Sequence, residues 1–142
     1  MTADTRSFVL FPLGRRRFAL PAENVAELAR KGQLHAFPHR TPGLLGVVVR
    51  RGRIVPVWHI AETLTGPDSV PGRFYLLASR TARPRPSEWT AIPVNGECEL
   101  LNAELLPPTG QLNAYVQGLL SLPGEIVEVL DLEKLGCQEA IA

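Results

Sequence analysis

The sequence predicts an all-β fold assembled from small barrels. Three features carry that expectation. Short runs rich in valine, isoleucine and aromatic residues recur along the 142 residues, separated by glycine and proline turn signals. Stretches with helical periodicity are few and short. A ten-residue echo is also present: ALPAENVAEL at 19–28 aligns without gaps with AIPVNGECEL at 91–100. Ala, Pro, Glu and Leu recur in it and Ile92 answers Leu20. Its offset of 72 residues is about half the chain, which points to two similar barrels.

The elements follow in order. Residues 8–13, FVLFPL, read as a strand, Gly14 to Arg16 as its turn, and RFALP at 17–21 as the return strand. AENVAELARKG is ambiguous. Val25 and Leu28 have helical spacing, yet Val25, Glu27 and Ala29 would share one face of a strand. FPHRTPGLLG, 37–46, is expected to be a loop with one helical turn at Leu44–Leu45. The valines at 47–49 and IVPVW at 54–58 form a hairpin around Arg51–Gly52. Pro56 cannot donate to a ladder, so its strand is expected at an edge or a bulge. IAETLTG, 60–66, is a short helix ended by Gly66–Pro67. RFYLLAS (73–79) and WTAIPV (89–94) are strands flanking a polar excursion, TARPRPS, and Asn95–Gly96 signals a turn. YVQGLLSL (115–122) and EIVEVLDL (125–132) form a last hairpin around Pro123–Gly124, and DLEKLG is a helical turn stopped by Gly136. The count is about nine or ten strands.

Composition narrows the class. At 45% hydrophobic and 20% charged residues, the chain has enough apolar material for a core. No apolar run approaches the roughly 20 residues that cross a bilayer, and the arginine run at 15–17 follows rather than precedes the short apolar run. A cytoplasmic protein with no membrane insertion is expected. The net charge of +1 is unevenly spread. Residues 1–85 hold 14 basic side chains against five acidic ones, while residues 86–142 hold one lysine against nine acids. Such asymmetry fits a nucleic-acid footprint, two faces for opposite partners, or termini that interleave in space and mix the charges.

Candidate chemistry is sparse. His35 and His39 are four apart, a metal-ligand spacing on a helix, but Phe37, Pro38 and Pro42 make a helix there implausible. His59 at a strand end is a possible base with no nucleophile marked out by motif. Cys98 and Cys137 lack metal spacing and read as packed thiols. No dinucleotide, phosphate-loop, nucleophile-elbow or zinc-protease motif occurs. Aromatics are not interleaved with the basic residues as stacking on nucleic acid requires. No catalytic residue, metal or cofactor is expected. A rigid β scaffold that binds a partner is.

Several segments together resemble the CheW-like domain family of bacterial chemotaxis. FALPAENVAEL resembles its strand ending in Leu-Pro and the Val-x-Glu element that follows. TPGLLGVVVRRGRIVPVWHI is similar to its proline loop, its Arg-Gly turn and its Val-x-Pro-Val strand. YVQGLLSLPGEIVEVLDLEKL resembles its last hairpin and Leu-Asp-Leu end. The likeness runs from Phe8 to Leu135. It implies a single domain, 8–136, of two five-stranded SH3-like β-barrels with short helical turns, with tails at 1–7 and 137–142. It also implies a non-enzymatic adaptor coupling a CheA-like histidine kinase to the cytoplasmic tip of chemoreceptors, near receptor arrays at the inner membrane. By the same match, Val25, Glu27, Leu28, Gly46 and Arg51 are expected to meet a partner. Arg50 and Arg53 have no such match and read as solvated charges.

Two departures stand out. The family's aspartate after Pro-Val-x is His59 here, a poorer cap for the helix that follows. Glu97 stands where an apolar residue is usual. They suggest a divergent member that serves a twitching-motility or other chemosensory-like pathway. The rival classes are an arginine-rich nucleic-acid-binding barrel and a hydrolase built on His59.

Overall fold

A computed structural model of the chain describes residues 5–30, 32–36, 43–66, 72–108, 110 and 113–137. Its strands are β1 (Thr5–Leu13), β2 (Arg16–Pro21), β3 (Val25–Arg30), β4 (Leu44–Arg50), β5 (Arg53–Trp58), β6 (Phe74–Ala78), β7 (Thr90–Val94), β8 (Glu99–Glu104), β9 (Val116–Leu122) and β10 (Glu125–Leu130). One short helix, α1 (Ala61–Thr65), and single turns of 3-10 helix at Ala22–Asn24 and Pro86–Glu88 complete the described elements. Among them no helix is long and apolar enough to cross a membrane.

The strands form two five-stranded sheets, ordered β8-β1-β2-β10-β9 and β3-β6-β7-β5-β4. Each curls into an SH3-like barrel, here barrel A and barrel B. Their edges are tied by matching bridges. In barrel B, His35 and Val47 exchange both backbone hydrogen bonds at 2.8 Å. In barrel A, Leu106 and Leu119 do the same at 2.9 Å.

Both sheets have one topology. Position by position, β8, β1, β2, β10 and β9 correspond to β3, β6, β7, β5 and β4. Each barrel therefore takes strands from both halves of the chain. The correspondence extends to register. Leu44↔Trp58 and Gly46↔Val57 recur 72 residues on as Val116↔Leu130 and Gly118↔Val129. Both pairs straddle a shift in strand register. The ALPAENVAEL and AIPVNGECEL segments prove to be the two places where the chain leaves one sheet for the other.

Alternation along the central strands explains the core. Tyr75 and Leu77 face the interior of barrel B with Val48, Val55, Val57 and Ala91, while Leu76 and Ala78 face away. Phe8, Leu10, Ala19, Leu120, Val127 and Val129 fill barrel A. The outward faces meet in a shared core that includes Phe11, Phe18, Leu20, Trp58, Leu76, Ile92 and Leu130. Full burial of such side chains stabilises by about 1.5–3 kcal/mol each. An exposed ion pair gives about 1 kcal/mol at most. The shared core, not surface charge, holds the barrels together.

Three expectations are corrected. Leu44 and Leu45 are extended residues of β4, not a helical turn. β8 was not read from the sequence at all. β5 lies inside its sheet rather than at an edge, while the bulge, the other form of that expectation, falls at Leu45 opposite Val57 and Trp58, just past Pro56. Pro56 is accommodated because Val47, its partner on β4, directs both backbone groups to His35. That pair makes no ladder bond, and on the other side the pairing of β5 with β7 is confined to Val57↔Ala91. Residues 37–42, with His39, lie outside the described residues.

Candidate functional site

The seam where β3 approaches β4 gathers most of the expected partner residues. Its chemistry starts at Glu27 on β3. Arg50, the last residue of β4, grips that carboxylate with both arms of its guanidinium, Nε to Oε1 at 3.0 Å and Nη2 to Oε2 at 3.1 Å. Arg51 adds a third contact, Nε to Oε1 at 3.6 Å. The hydrogen bonds from Arg50 hold the Glu27 carboxyl below the usual carboxylate range. Arg50 is therefore no idle rim charge, and sequence reasoning missed it. Its partner lies 23 residues away across a barrel closure, with no local pattern to mark it.

Arg51 and Gly52 form the two-residue turn between β4 and β5, with Arg50 and Arg53 as the flanking pair. Both turn residues have positive φ, 52° and 73°. A tight primed hairpin turn needs that combination. Glycine takes it freely, but an L-residue such as arginine gives up roughly 1–2 kcal/mol there. The corresponding turn of barrel A has Pro123 at its first position, and proline is confined to negative φ. The strained arginine belongs to one hairpin tip only, and its side chain is 66% exposed.

Gly46 sits on the same seam beside the His35–Val47 bridge. A Cβ there would lie 2.4 Å from the His35 carbonyl oxygen and 3.1 Å from Leu34 Cδ1. Its φ of 154° also favours glycine. Gly46 thus contributes by letting the 34–36 segment close the barrel, with Leu34 and Leu45 exposed beside it. Val25 is half-buried and packs against the shared core. Leu28 is exposed and pairs with Leu76, so it projects from the face of β3 opposite Glu27. The structure joins Glu27 to Arg51 and Arg50, places Gly46 farther along β4 beside Leu34 and His35, and sets Val25 and Leu28 on β3 away from the ion pair.

The remaining candidates are elsewhere. The His59 amide donates to the Gly43 carbonyl at 2.8 Å. Burial pushes the Cys98 thiol up to about 11 and the Cys137 thiol up to about 12, so neither is an activated nucleophile at neutral pH. Among the described residues no group of acids, histidines and cysteines is placed to hold a metal ion.

Twin barrels around a shared core, with an ion pair across the seam and a strained basic tip, define a two-barrel β scaffold. Residues 7–139 match the CheW-like domain, and the chain belongs to that family. It is 22% identical over 138 residues to a probable chemotaxis protein CheW of Rhizobium etli, an alignment covering 92% of this chain and 86% of that protein. A shorter alignment, 33% identical over 60 residues, relates it to protein FrzA of Myxococcus xanthus and covers 42% of this chain and 38% of that protein. The crystal structure of the scaffolding protein TtCheW from Thermoanaerobacter tengcongensis superposes with a TM-score of 0.74 at 16% identity, covering 92% and 91% of the two chains. The two-barrel fold is the fold of that protein.

Proposed function

We propose that the protein is a non-enzymatic adaptor of a chemotaxis-type pathway, working in the cytoplasm, that couples the cytoplasmic tip of chemoreceptors to a CheA-type histidine kinase. Family membership over nearly the whole chain supports the class. The observation that carries the site is Arg51, an exposed guanidinium held in a disfavoured backbone conformation at a hairpin tip. Strain kept at an exposed tip marks a functional residue more often than a packing one. A receptor tip lays a helix along the seam, with Arg51 giving charge-assisted hydrogen bonds and Val25, Leu28, Leu34 and Leu45 giving apolar contact. Glu27 and Gly46 position the tip, one by clamping Arg50 and Arg51, the other by allowing the barrel to close.

The test replaces Arg51 with glycine. Relief of the positive φ raises stability by about 1 kcal/mol, seen as a higher urea midpoint. Retention of a purified receptor cytoplasmic fragment falls about tenfold or more, as for an interface hot spot. If Arg51→Gly retains the receptor fragment normally, the site is wrong. If the unmodified protein retains neither receptor nor kinase, the adaptor reading itself is wrong. The departures at His59 and Glu97 favour a second reading within the same class, an adaptor of a twitching-motility or other chemosensory-like pathway. Purification of the protein with its kinase from the native host decides between the two.

A further inference from the structure

The two segments of the internal echo are the crossovers between the barrels, and each is held by an asparagine. At the second crossover the Asn95 side-chain oxygen accepts from the Gly14 amide, and the Asn95 amide donates to the Pro12 carbonyl at 3.0 Å. At the first, Asn24 Nδ2 donates to the Ser79 carbonyl at 3.1 Å, and the Ser79 amide donates in return to the Asn24 carbonyl at 2.8 Å. This first crossover leads directly into β3, the strand that carries Val25, Glu27 and Leu28.

Apolar burial does little to fix β3, because Ala29 is its one buried residue. Its ladder with β6 is also irregular where it begins. Val25 stands opposite Ala78 and Glu27 opposite Leu77, so Ala26 is an extra, bulged residue. A strand with so little to bury is prone to slip, and a slip of one residue turns every side chain to the other face. For Glu27 that means leaving the face it shares with Ala29 and losing its bonds to Arg50 and Arg51.

Asn24 lies immediately ahead of the bulge, and two bonds join it to a residue that is itself held. Ser79 is fully buried. Its hydroxyl oxygen accepts from the Thr81 amide at 3.1 Å and lies 3.0 Å from the Thr81 hydroxyl. The loop beyond Ser79 returns to the same crossover, where the Arg83 amide donates to the Glu23 carbonyl at 2.6 Å. Arg83 has a positive φ of 53°, a conformation that persists only where the surroundings impose it.

We propose that Asn24 is a positioning residue for the seam: its side chain pins the start of β3 to β6, fixes the bulge at Ala26, and so keeps Glu27 on the face that Arg50 and Arg51 reach. Asn24 acts through Glu27 and not by touching a partner. The pin itself rests on the fold, and only its consequence for partner binding rests on the adaptor reading.

The experiment follows the Glu27 carboxyl by NMR through an acid titration. In the unmodified protein the Arg50 hydrogen bonds hold its midpoint below the usual carboxylate range. In Asn24→Ala the midpoint is expected to rise to the ordinary glutamate value of about 4.3. Asn24→Leu, which keeps the bulk of the side chain and lacks the donor, gives the same rise. Thr90→Val removes the neighbouring buried bond from Thr90 Oγ1 to the Ala78 carbonyl at 3.2 Å and leaves Glu27 as it was. Circular dichroism confirms that each variant is folded. Retention of the receptor cytoplasmic fragment falls about fivefold in both Asn24 variants, the scale of one interface contact. An unchanged Glu27 midpoint in the Asn24 variants overturns the proposal, whatever happens to their stability. An equal rise in Thr90→Val overturns it too, since the cause would then be general loosening. A raised midpoint with normal retention overturns the link from the pin to partner binding. If the unmodified protein retains no receptor fragment, the adaptor reading fails, and the titration still decides the pin.

Discussion

Asp131 accepts hydrogen bonds on Oδ1 from the amides of Glu133 and Lys134, at 3.0 and 3.4 Å, and so caps the turn that follows β10. His59, 72 residues earlier, follows β5 at the corresponding place and precedes α1. The helix starts differ by one residue, however: the Leu135 amide donates to the Asp131 carbonyl, whereas the Leu64 amide donates to the Ile60 carbonyl, so Ile60 holds the N-cap of α1 and residue 59 precedes it. His59→Asp is expected to add only the attraction of a carboxylate to the start of α1, about 0.3–1 kcal/mol, a rise of about 1–3 °C in melting temperature. An unchanged or lower melting temperature shows that His59 serves α1 as well as aspartate would. The two thiols give a second expectation at this scale. Burial keeps Cys98 and Cys137 protonated to about 11 and about 12, whereas unfolded thiols ionise near 8.5. Above that value the unfolded state binds fewer protons, so stability falls as pH rises toward 11. Urea midpoints at pH 7 and pH 10 measure the fall, and replacing both cysteines with alanine should flatten it. If the slope is the same without them, the thiols are not its source.

The elements reveal why glycine stands at Gly46 and Gly118. Each lies beside the bridge that closes its barrel. A Cβ at Gly118 would lie 2.4 Å from Leu105 Cδ1 and 2.7 Å from the Leu106 carbonyl oxygen, much as one at Gly46 would strike His35. Neither carbonyl can retreat without breaking a bridge that carries two backbone hydrogen bonds. Gly46→Ala and Gly118→Ala should therefore each cost more than about 2 kcal/mol. Gly52 is the comparison, since its Cβ would meet nothing within 4 Å and only its positive φ is penalised, by roughly 1 kcal/mol. Urea unfolding of the three variants gives the order, and a Gly46→Ala protein no weaker than Gly52→Ala refutes the close-approach argument. This scale also shows where the sequence was readable. Strands with many apolar side chains to bury, such as FYLLA and EIVEVL, are plain in the sequence. β8, ELLNAE, is not, because none of its residues is fully buried and a strand with little to bury has no apolar rhythm. β3 was ambiguous for a related reason, with only Ala29 buried. The Arg51–Gly52 turn was legible from local chemistry. The Glu27–Arg50 clamp was not, because it forms only when the edges of a curled sheet meet.

At the scale of the whole molecule, the faint ten-residue echo proves to be the surviving trace of a repeat that the fold preserves in register. Residues 44–58 and 116–130 form hairpins with the same pairings at the same offset, although few of their side chains agree. The interleaving is less accessible to sequence reasoning, because a repeat specifies two similar units and not which strands they exchange. That exchange has a consequence for folding. The first half supplies β1 and β2 to barrel A and β3, β4 and β5 to barrel B, and the second half supplies the other five strands. Neither half contains a complete barrel, and each alone exposes strand edges and one side of the shared core. Fragments cut between Val70 and Pro71 should therefore fail to fold as monomers. Mixed in equal amounts, they should recover the circular dichroism spectrum and cooperative melting of the intact chain. Because the two halves present matching strands in matching order, a single fragment has one folded option of its own, a dimer in which two copies exchange strands as the halves do here. Sedimentation of each fragment distinguishes the cases. A fragment that melts cooperatively at monomer mass would mean that one half builds a barrel unaided, and that the strand exchange is incidental to how the chain folds.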